Sequence, residues 1–254
     1  MGAGHAHPLY LPGSSLVHRL PPQVKVLAAV LFVCCVVATP REVFWAFGGY
    51  FLVLVGVWVL AAIPAGWIAR RSLIEAPFVV LAVLLPFAEG GQRVQVAGVS
   101  LSVAGLLAGW NIVIKGTLGV LTSLTLAATT SPRDLLIGLQ RLRVPNTITT
   151  IATLMLRYLE VIVGEARRMR IARISRGHDP RLLWQAGATA RGIGSLFLRS
   201  YERGERVHLA MLARGWTGEM PVLHERPTGS RDWLLGSVPV SVAILIAVGA
   251  WWGG

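Results

Sequence analysis

Hydrophobic and polar positions are arranged along this chain in long blocks. The mostly apolar blocks cover residues 24–38, 43–63, 73–88, 101–128 and 233–251. A helix needs about 20 apolar residues to cross the ~30 Å hydrocarbon core of a bilayer, so these blocks are close to the length of a membrane span. The pattern predicts an all-α polytopic membrane protein with about five transmembrane helices.

One long segment between the fourth and fifth blocks is polar and basic. Residues 131–231 contain 17 of the 24 Lys and Arg residues and 8 of the 12 acidic residues. We therefore divide the chain into N-terminal transmembrane helices over 1–130, a cytoplasmic segment over 131–231 and a C-terminal transmembrane helix over 232–254. The placement in the cytoplasm follows from the cations that accumulate in short loops on one side of the spans. These cations are Arg19, Lys25, Arg70 and Arg71.

The composition excludes an ordinary soluble domain. Hydrophobic residues make up 54% of the 254 residues and charged residues only 14%, whereas soluble domains have about 25% charged residues. The net charge of +12 is compatible with a membrane surface or with nucleic acid. Arg19 and Lys25 before an apolar stretch also fit a signal peptide, but further apolar blocks follow immediately and favour a membrane domain.

The basic segment contains signals for three helices. Ser131 before Pro132 is a typical N-cap, and this short helix is expected to end before Pro145. Two long helices are then predicted, over 146–176 and about 181–214, with apolar residues every three or four positions. The apolar positions that we assign to helix packing are Ile151, Met155, Leu159, Ile162 and Met169 on the first, and Ile193, Phe197, Tyr201 and Met211 on the second.

Both long helices end in the same way. The first ends with Ser175-Arg176-Gly177 and the second with Ala213-Arg214-Gly215. A glycine C-cap after an arginine stabilises the end of any helix, and this explains either ending taken alone. Two such endings beside a membrane domain favour another interpretation, in which the guanidinium groups bind carboxylates on partner proteins.

These motifs resemble the transmembrane (T) component of energy-coupling-factor (ECF) transporters, a branch of the ABC transporters. That family has a pair of Ala-Arg-Gly-type motifs at the ends of two long cytoplasmic coupling helices. The second motif matches here, and the first has Ser175 in place of alanine. The resemblance is greatest to the CbiQ group, which serves cobalt uptake, over the run from Arg141 to Arg176 and over Gly177-His178-Asp179-Pro180-Arg181.

The resemblance implies a non-catalytic subunit in a bacterial or archaeal cell (inner) membrane. Arg176 and Arg214 would each dock on one of two ATPase subunits (CbiO-like), which bind ATP and Mg, so no cofactor is expected in this chain. A CbiM-like substrate-binding membrane subunit would pack on the long helices. Gly187, Gly192 and Gly194 would permit close sliding contact where the two long helices cross. A small CbiN-like subunit is an optional further partner. Nickel or a vitamin is the alternative substrate, because another polypeptide selects it.

Other classes of function find less support in the sequence. The chain has no GxxxxGK[ST] phosphate loop, no HExxH and no GxSxG, so the sequence gives little support to an enzyme. A membrane-embedded lipid-modifying enzyme is a remote alternative. We expect no nucleic acid partner and no metal site, although His5 and His7 form an HxH pair. Lys115 lies within the fourth apolar block, where a cation is costly. Its ammonium would bind a partner within the chain, extend to the membrane surface, or serve the function of the protein.

Overall fold

The computed structural model describes residues 9–88, 93–96, 99–177, 187–218 and 228–253, and it divides into two compact units. The first unit comprises residues 1–138 and 225–254, and the second comprises residues 139–224. The helices of the first unit are α1 (Leu16–Arg19), α2 (Pro22–Ala38), α3 (Phe44–Ala61), α4 (Ala65–Arg71), α5 (Ala76–Ala88), α6 (Val103–Thr129) and α10 (Ser230–Trp252). Helix α7 (Pro132–Arg141) contains the boundary, and the second unit contains α8 (Asn146–Ser175) and α9 (Gly187–Leu212).

The all-α architecture predicted from the sequence is confirmed, with one short addition. A two-stranded antiparallel hairpin, β1 (Arg93–Val96) and β2 (Val99–Ser102), lies between α5 and α6. A 3₁₀ turn, Ser72–Glu75, connects α4 to α5. Each of the five apolar blocks forms a helix in the structure, namely α2, α3, α5, α6 and α10.

Among the described residues, four helices are long and apolar enough to span a membrane: α3, α6, α8 and α10. Helix α2 has 17 residues, and α5 has 13 residues with Pro86 inside it, so both are shorter than a standard span. Helix α8 enters this group because its N-terminal part is apolar, although the sequence pattern assigns it to the cytoplasmic segment. The placement of 131–231 in the cytoplasm stays a prediction.

Aromatic side chains of α3 with polar tips form the centre of the first unit. The Tyr50 side chain is fully buried, and its hydroxyl lies 2.8 Å from Thr39 Oγ1. Trp58 Nε1 donates to Thr125 Oγ1 of α6 at 2.7 Å. Each ring is therefore buried with its polar atom hydrogen-bonded, as a core without water requires.

Two glycines allow α6 to lie directly against α5. A Cβ at Gly109 would come 2.6 Å from the Ala82 carbonyl oxygen, and a Cβ at Gly105 would come 2.7 Å from Pro86 Cα. Close approach of backbones through small residues is the usual way in which membrane helices associate. This contact connects the α5 helix to the core of the first unit.

The second unit consists mainly of the two long helices predicted from the basic segment. Helix α8 matches the expected range to within one residue, and α9 covers Gly187–Leu212 of the predicted 181–214. Residues 178–186 lie outside the described part of the chain. The Ser131 cap of α7 is confirmed, because its hydroxyl accepts a hydrogen bond from the Asp134 backbone N–H at 3.1 Å.

Of the three glycines of α9 that we expected to bring α8 and α9 into close contact, one lies against α8 among the described residues. A Cβ at Gly192 would lie 3.8 Å from Arg173 Nη1 and from the end of Met169 of α8. Gly187 and Gly194 have no heavy atom within 4 Å of that position. These two glycines therefore do not bring α8 and α9 together in this structure.

Candidate docking site at the ends of the long helices

The end of α8 is set by the backbone geometry of Gly177. The Arg176 N–H donates to Arg173 O at 3.1 Å, and the Gly177 N–H donates to Ile174 O at 2.9 Å. Gly177 has φ +77°, a left-handed conformation that glycine adopts without a Cβ clash. The helix therefore ends at Ser175, and Arg176 is its C-cap.

Helix α9 ends through the same geometry. The Gly215 N–H donates to Leu212 O at 2.9 Å, the Trp216 N–H donates to Met211 O at 3.0 Å, and Gly215 has φ +77°. This pair of bonds is a Schellman ending, which satisfies the last carbonyls of the helix. The similarity of the two sequence motifs thus corresponds to similar backbone structure.

Both motifs are on the surface of the chain. Ser175, Arg176 and Gly177 are exposed, and so are Ala213, Arg214 and Gly215. Among the residues that the structure describes, no carboxylate lies within 4.0 Å of either arginine. The two guanidinium groups are therefore accessible to carboxylates of another protein.

A single carboxylate connects the two long helices. Glu165 of α8 accepts a hydrogen bond from Arg199 of α9 at 2.9 Å, and its second oxygen lies 3.8 Å from Arg203 of the same helix. Arg168, one turn along α8, also contacts this second oxygen at 3.3 Å. The hydrogen bond from Arg199 holds the pKa of the Glu165 carboxyl below its ordinary value, so the carboxyl is ionised at neutral pH.

Most apolar positions predicted for helix packing are exposed within this chain. On α8 the exposed members are Ile151, Met155 and Leu159, and on α9 they are Ile193, Phe197 and Tyr201. The remaining members, Ile162, Met169 and Met211, are half-buried. Exposed apolar residues that recur every four positions along a helix are typical of an interaction surface.

A cavity of about 330 Å³ lies between α8 and α9, near the second motif. Ile151, Ile162 and Met211 of the predicted packing set contribute to its lining. The Trp216 ring lies edge-on to His208, with ring centroids 5.9 Å apart. The Trp216 indole nitrogen is buried and has no hydrogen-bond partner in the described part of the chain.

Comparison with known proteins identifies the family. Residues 13–223 match the family model of the CbiQ cobalt transport protein. The chain belongs to this family. It is 39% identical to the cobalt transport protein CbiQ of Rhodobacter capsulatus over 125 residues, a match that covers 49% of this chain and 50% of that protein.

Energy-coupling factor transporter transmembrane proteins named EcfT match over a longer range. The chain is 27% identical to EcfT of Bacillus selenitireducens, with 82% of each chain covered, and 26% identical to EcfT of Acidaminococcus fermentans, with 95% of each covered. The family is the transmembrane component of ECF transporters, and its members are non-catalytic subunits. With its apolar helices, this chain is a multi-pass membrane protein.

Two features that the sequence left open now have a structural context. Lys115 Nζ donates to the Val37 carbonyl oxygen of α2 at 2.8 Å, which is an internal partner for this intramembrane cation. No group of three His, Cys, Asp or Glu residues suited to a metal ion occurs among the described residues. His5 and His7 lie outside that part of the chain.

The link through Glu165 and the cavity beside Trp216 were not predicted from the sequence. Glu165 and Arg199 are 34 residues apart, and both helices contain several other charged residues with the same helical periodicity. A repeated spacing of acids on one helix and arginines on the other would have suggested an interhelical ion pair. It would not have selected these two residues.

Proposed function

We propose that this chain is the coupling component of a cobalt uptake complex. It transmits the movement of two ATPase subunits (CbiO-like), which bind ATP and Mg, to a substrate-binding membrane subunit (CbiM-like). The observation that carries this proposal is the pair of exposed arginines, Arg176 and Arg214, each at the end of a long helix and each followed by a glycine with φ +77°.

The chemistry of the helix ends suits docking to an acidic groove. An arginine presents a planar fork of donors that binds a carboxylate through two parallel hydrogen bonds. The glycine after each arginine has a left-handed conformation, so the chain leaves the helical path directly after the arginine. Arg176 and Arg214 therefore provide one contact for each of two ATPase subunits.

The helices themselves suit the transmission of movement. At 1.5 Å per residue, the 30 residues of α8 extend over about 45 Å and the 26 residues of α9 over about 39 Å. Glu165 connects them, so a force applied at one helix end acts on both helices. Their exposed apolar residues, including Met155 and Phe197, offer a surface to the substrate-binding subunit.

Cobalt is proposed as the substrate because the matching family is described as a cobalt transport protein and because the Rhodobacter relative has that name. Nickel or a vitamin is the alternative. Uptake by the assembled complex in proteoliposomes distinguishes them. Cobalt accumulation that an excess of nickel does not abolish supports the proposal, whereas uptake of nickel or a vitamin alone would contradict it.

Co-purification with the ATPase subunits tests the docking role. We expect Arg176→Glu and Arg214→Glu each to lower the amount of bound ATPase, because the reversed charge repels an acidic groove. Arg167→Glu on α8 and Arg191→Glu on α9 are matched controls, since both arginines are exposed and neither belongs to a motif. Equal retention of ATPase by motif and control variants would disprove docking through these arginines.

A further inference from the structure

Helices α3 and α10 of the first unit pack together near the start of α3 and the end of α10. A Cβ at Gly49 would lie 3.0 Å from Ile246 Cδ1, and a Cβ at Gly249 would lie 3.4 Å from Trp45 Cη2. The Tyr50 hydroxyl also donates to the Ala243 carbonyl oxygen at 3.4 Å. These contacts close the interface near the start of α3 and the end of α10.

Toward the other end the two helices line a cavity of about 350 Å³. We call this cavity the α3–α10 fissure. Leu60 of α3 and Leu235 and Val238 of α10 line it and are 53–60% exposed, so the fissure opens sideways from the helical bundle. Because α3 and α10 are apolar enough to span a membrane, we expect this opening to face lipid.

The interior of the fissure is apolar apart from one cation. Ala28, Ala29 and Phe32 of α2 form part of its lining. The hydroxyls of Thr122 and Thr125 donate to the carbonyls one helical turn before them, so they offer no free donor to a ligand. Pro239 of α10 also lines the fissure, and its missing N–H leaves the Leu235 carbonyl without its helical partner.

Lys25 lies at the inner end of the fissure, where α2 begins and α6 ends. Its ammonium donates to the Thr129 carbonyl oxygen at 2.7 Å, and this leaves two of its three donors for a ligand. Asp134 attracts Lys25, but no carboxylate lies within 4.0 Å of its ammonium in the described part of the chain. Two further positive charges, Arg19 at the end of α1 and Arg231 at the start of α10, are exposed.

We propose that the α3–α10 fissure binds one acyl chain of an anionic phospholipid whose phosphate is held by Lys25. The apolar walls match a hydrocarbon chain, and the cation at the end matches the phosphate, for which a lysine is a common ligand. The cations Arg19, Lys25 and Arg231 outnumber the acids Asp134 and Asp232 at this end, which favours a negatively charged headgroup.

Native mass spectrometry of the full-length protein, delipidated and titrated with phosphatidylglycerol or phosphatidylcholine of the same acyl chains, tests this proposal. We expect one tightly bound lipid with a preference for phosphatidylglycerol. Lys25→Met should reduce the preference about fivefold, since one lysine near an anionic headgroup contributes about this factor. Lys25→Arg should retain it.

Gly56→Leu provides a second test, because it fills the opening of the fissure. A Cβ at Gly56 meets no atom within 4 Å, so the leucine is accommodated without disturbing the fold. Gly48→Leu on the same helix is the matched control: Gly48 is also exposed with open space around it, and it does not line the fissure. We expect Gly56→Leu to lose the bound lipid of either type and Gly48→Leu to keep it.

Three results would overturn the proposal. The first is equal binding of both lipids by the unmodified protein, and the second is equal loss of lipid in the Gly56→Leu and Gly48→Leu variants. The third is a disulfide between Gly56→Cys and a cysteine-bearing membrane subunit in the assembled complex, which would assign the fissure to a protein partner. The lipid measurement needs no ATPase, so its outcome is independent of the docking of Arg176 and Arg214.

Discussion

Glu165 of α8 and Arg199 of α9 are joined by a hydrogen-bonded ion pair of 2.9 Å, and this contact connects two helices that end in matching motifs. Arg203 approaches the same carboxylate from α9. The Glu165 side chain is only 18% exposed, whereas that of Arg199 is 60% exposed. The carboxylate is therefore the shielded centre of the contact, and a network of this kind stabilises more than an isolated surface pair does.

We predict that Glu165→Gln loosens the link between α8 and α9. The neutral amide loses the charge that attracts three arginines, so distances between spin labels on the two helices should become more broadly distributed. Glu202→Gln is the control, because in the described part of the chain Glu202 pairs only with Arg206 of its own helix, at 3.9 Å. Unchanged distances in Glu165→Gln would show that the link does not hold the helices together.

The same link should respond to acid in a defined direction. The folded-state pKa of Glu165 lies below its ordinary value, so its stabilising contribution is complete above the ordinary pKa of glutamate. It is lost only as the pH falls through the lowered folded value. Spin-label distances that stay constant from neutral pH down to the ordinary glutamate pKa would agree with this. Broadening near pH 7 would contradict it.

We predict that Gly215→Ala weakens ATPase binding although the charge of Arg214 is retained. An alanine at φ +77° costs about 1 kcal/mol in this left-handed conformation, so the end of α9 should fray and the affinity should fall about fivefold. Asparagine tolerates this conformation better, so Gly215→Asn should lose less. Binding measured by surface plasmon resonance checks both variants.

The control for this substitution is Gly194→Ala, within α9. A Cβ at Gly194 meets no atom within 4 Å, and alanine favours a helix interior. This variant should bind the ATPase as the unmodified protein does. If Gly215→Ala bound equally well, the geometry of the helix end would not matter for docking.

We predict that Trp58→Phe destabilises the first unit. It removes the buried 2.7 Å hydrogen bond to Thr125, and such bonds between membrane helices contribute about 0.6 kcal/mol on average and up to about 1.7. Thermal unfolding in detergent should show a lower midpoint. Trp252→Phe is the control, since Trp252 is 90% exposed. Equal midpoints for the two variants would contradict the role of this bond.

Local signals in the sequence predicted a large part of the fold. The apolar blocks predicted α2, α3, α5, α6 and α10 of the first unit but not the short helices α1 and α4, and Pro145 with Gly177 predicted both ends of α8 to within a residue. Ser131 predicted the start of α7, because an N-cap side chain accepts a hydrogen bond from a backbone N–H two or three residues later. These signals depend on neighbours in the sequence and need no knowledge of tertiary structure.

The remaining features depend on residues that are distant in the sequence. The fissure lies between α3 and α10, which are separated by more than half the chain, and the partner of Glu165 is on another helix. Helical periodicity shows that a face is apolar but not which helix covers it. For this reason Met155 and Phe197 could be assigned to packing from the sequence, but their exposure within this chain could not.

Cobalt uptake by a variant with both motif arginines reversed tests the central claim most directly. The complex of this chain, the ATPases and the substrate-binding subunit is reconstituted in vesicles, and uptake is compared between Arg176→Glu/Arg214→Glu and the Arg167→Glu/Arg191→Glu control. We predict that the motif variant inserts normally yet falls to the uptake of vesicles without ATPase, while the control transports normally. Full uptake by the motif variant would contradict the account.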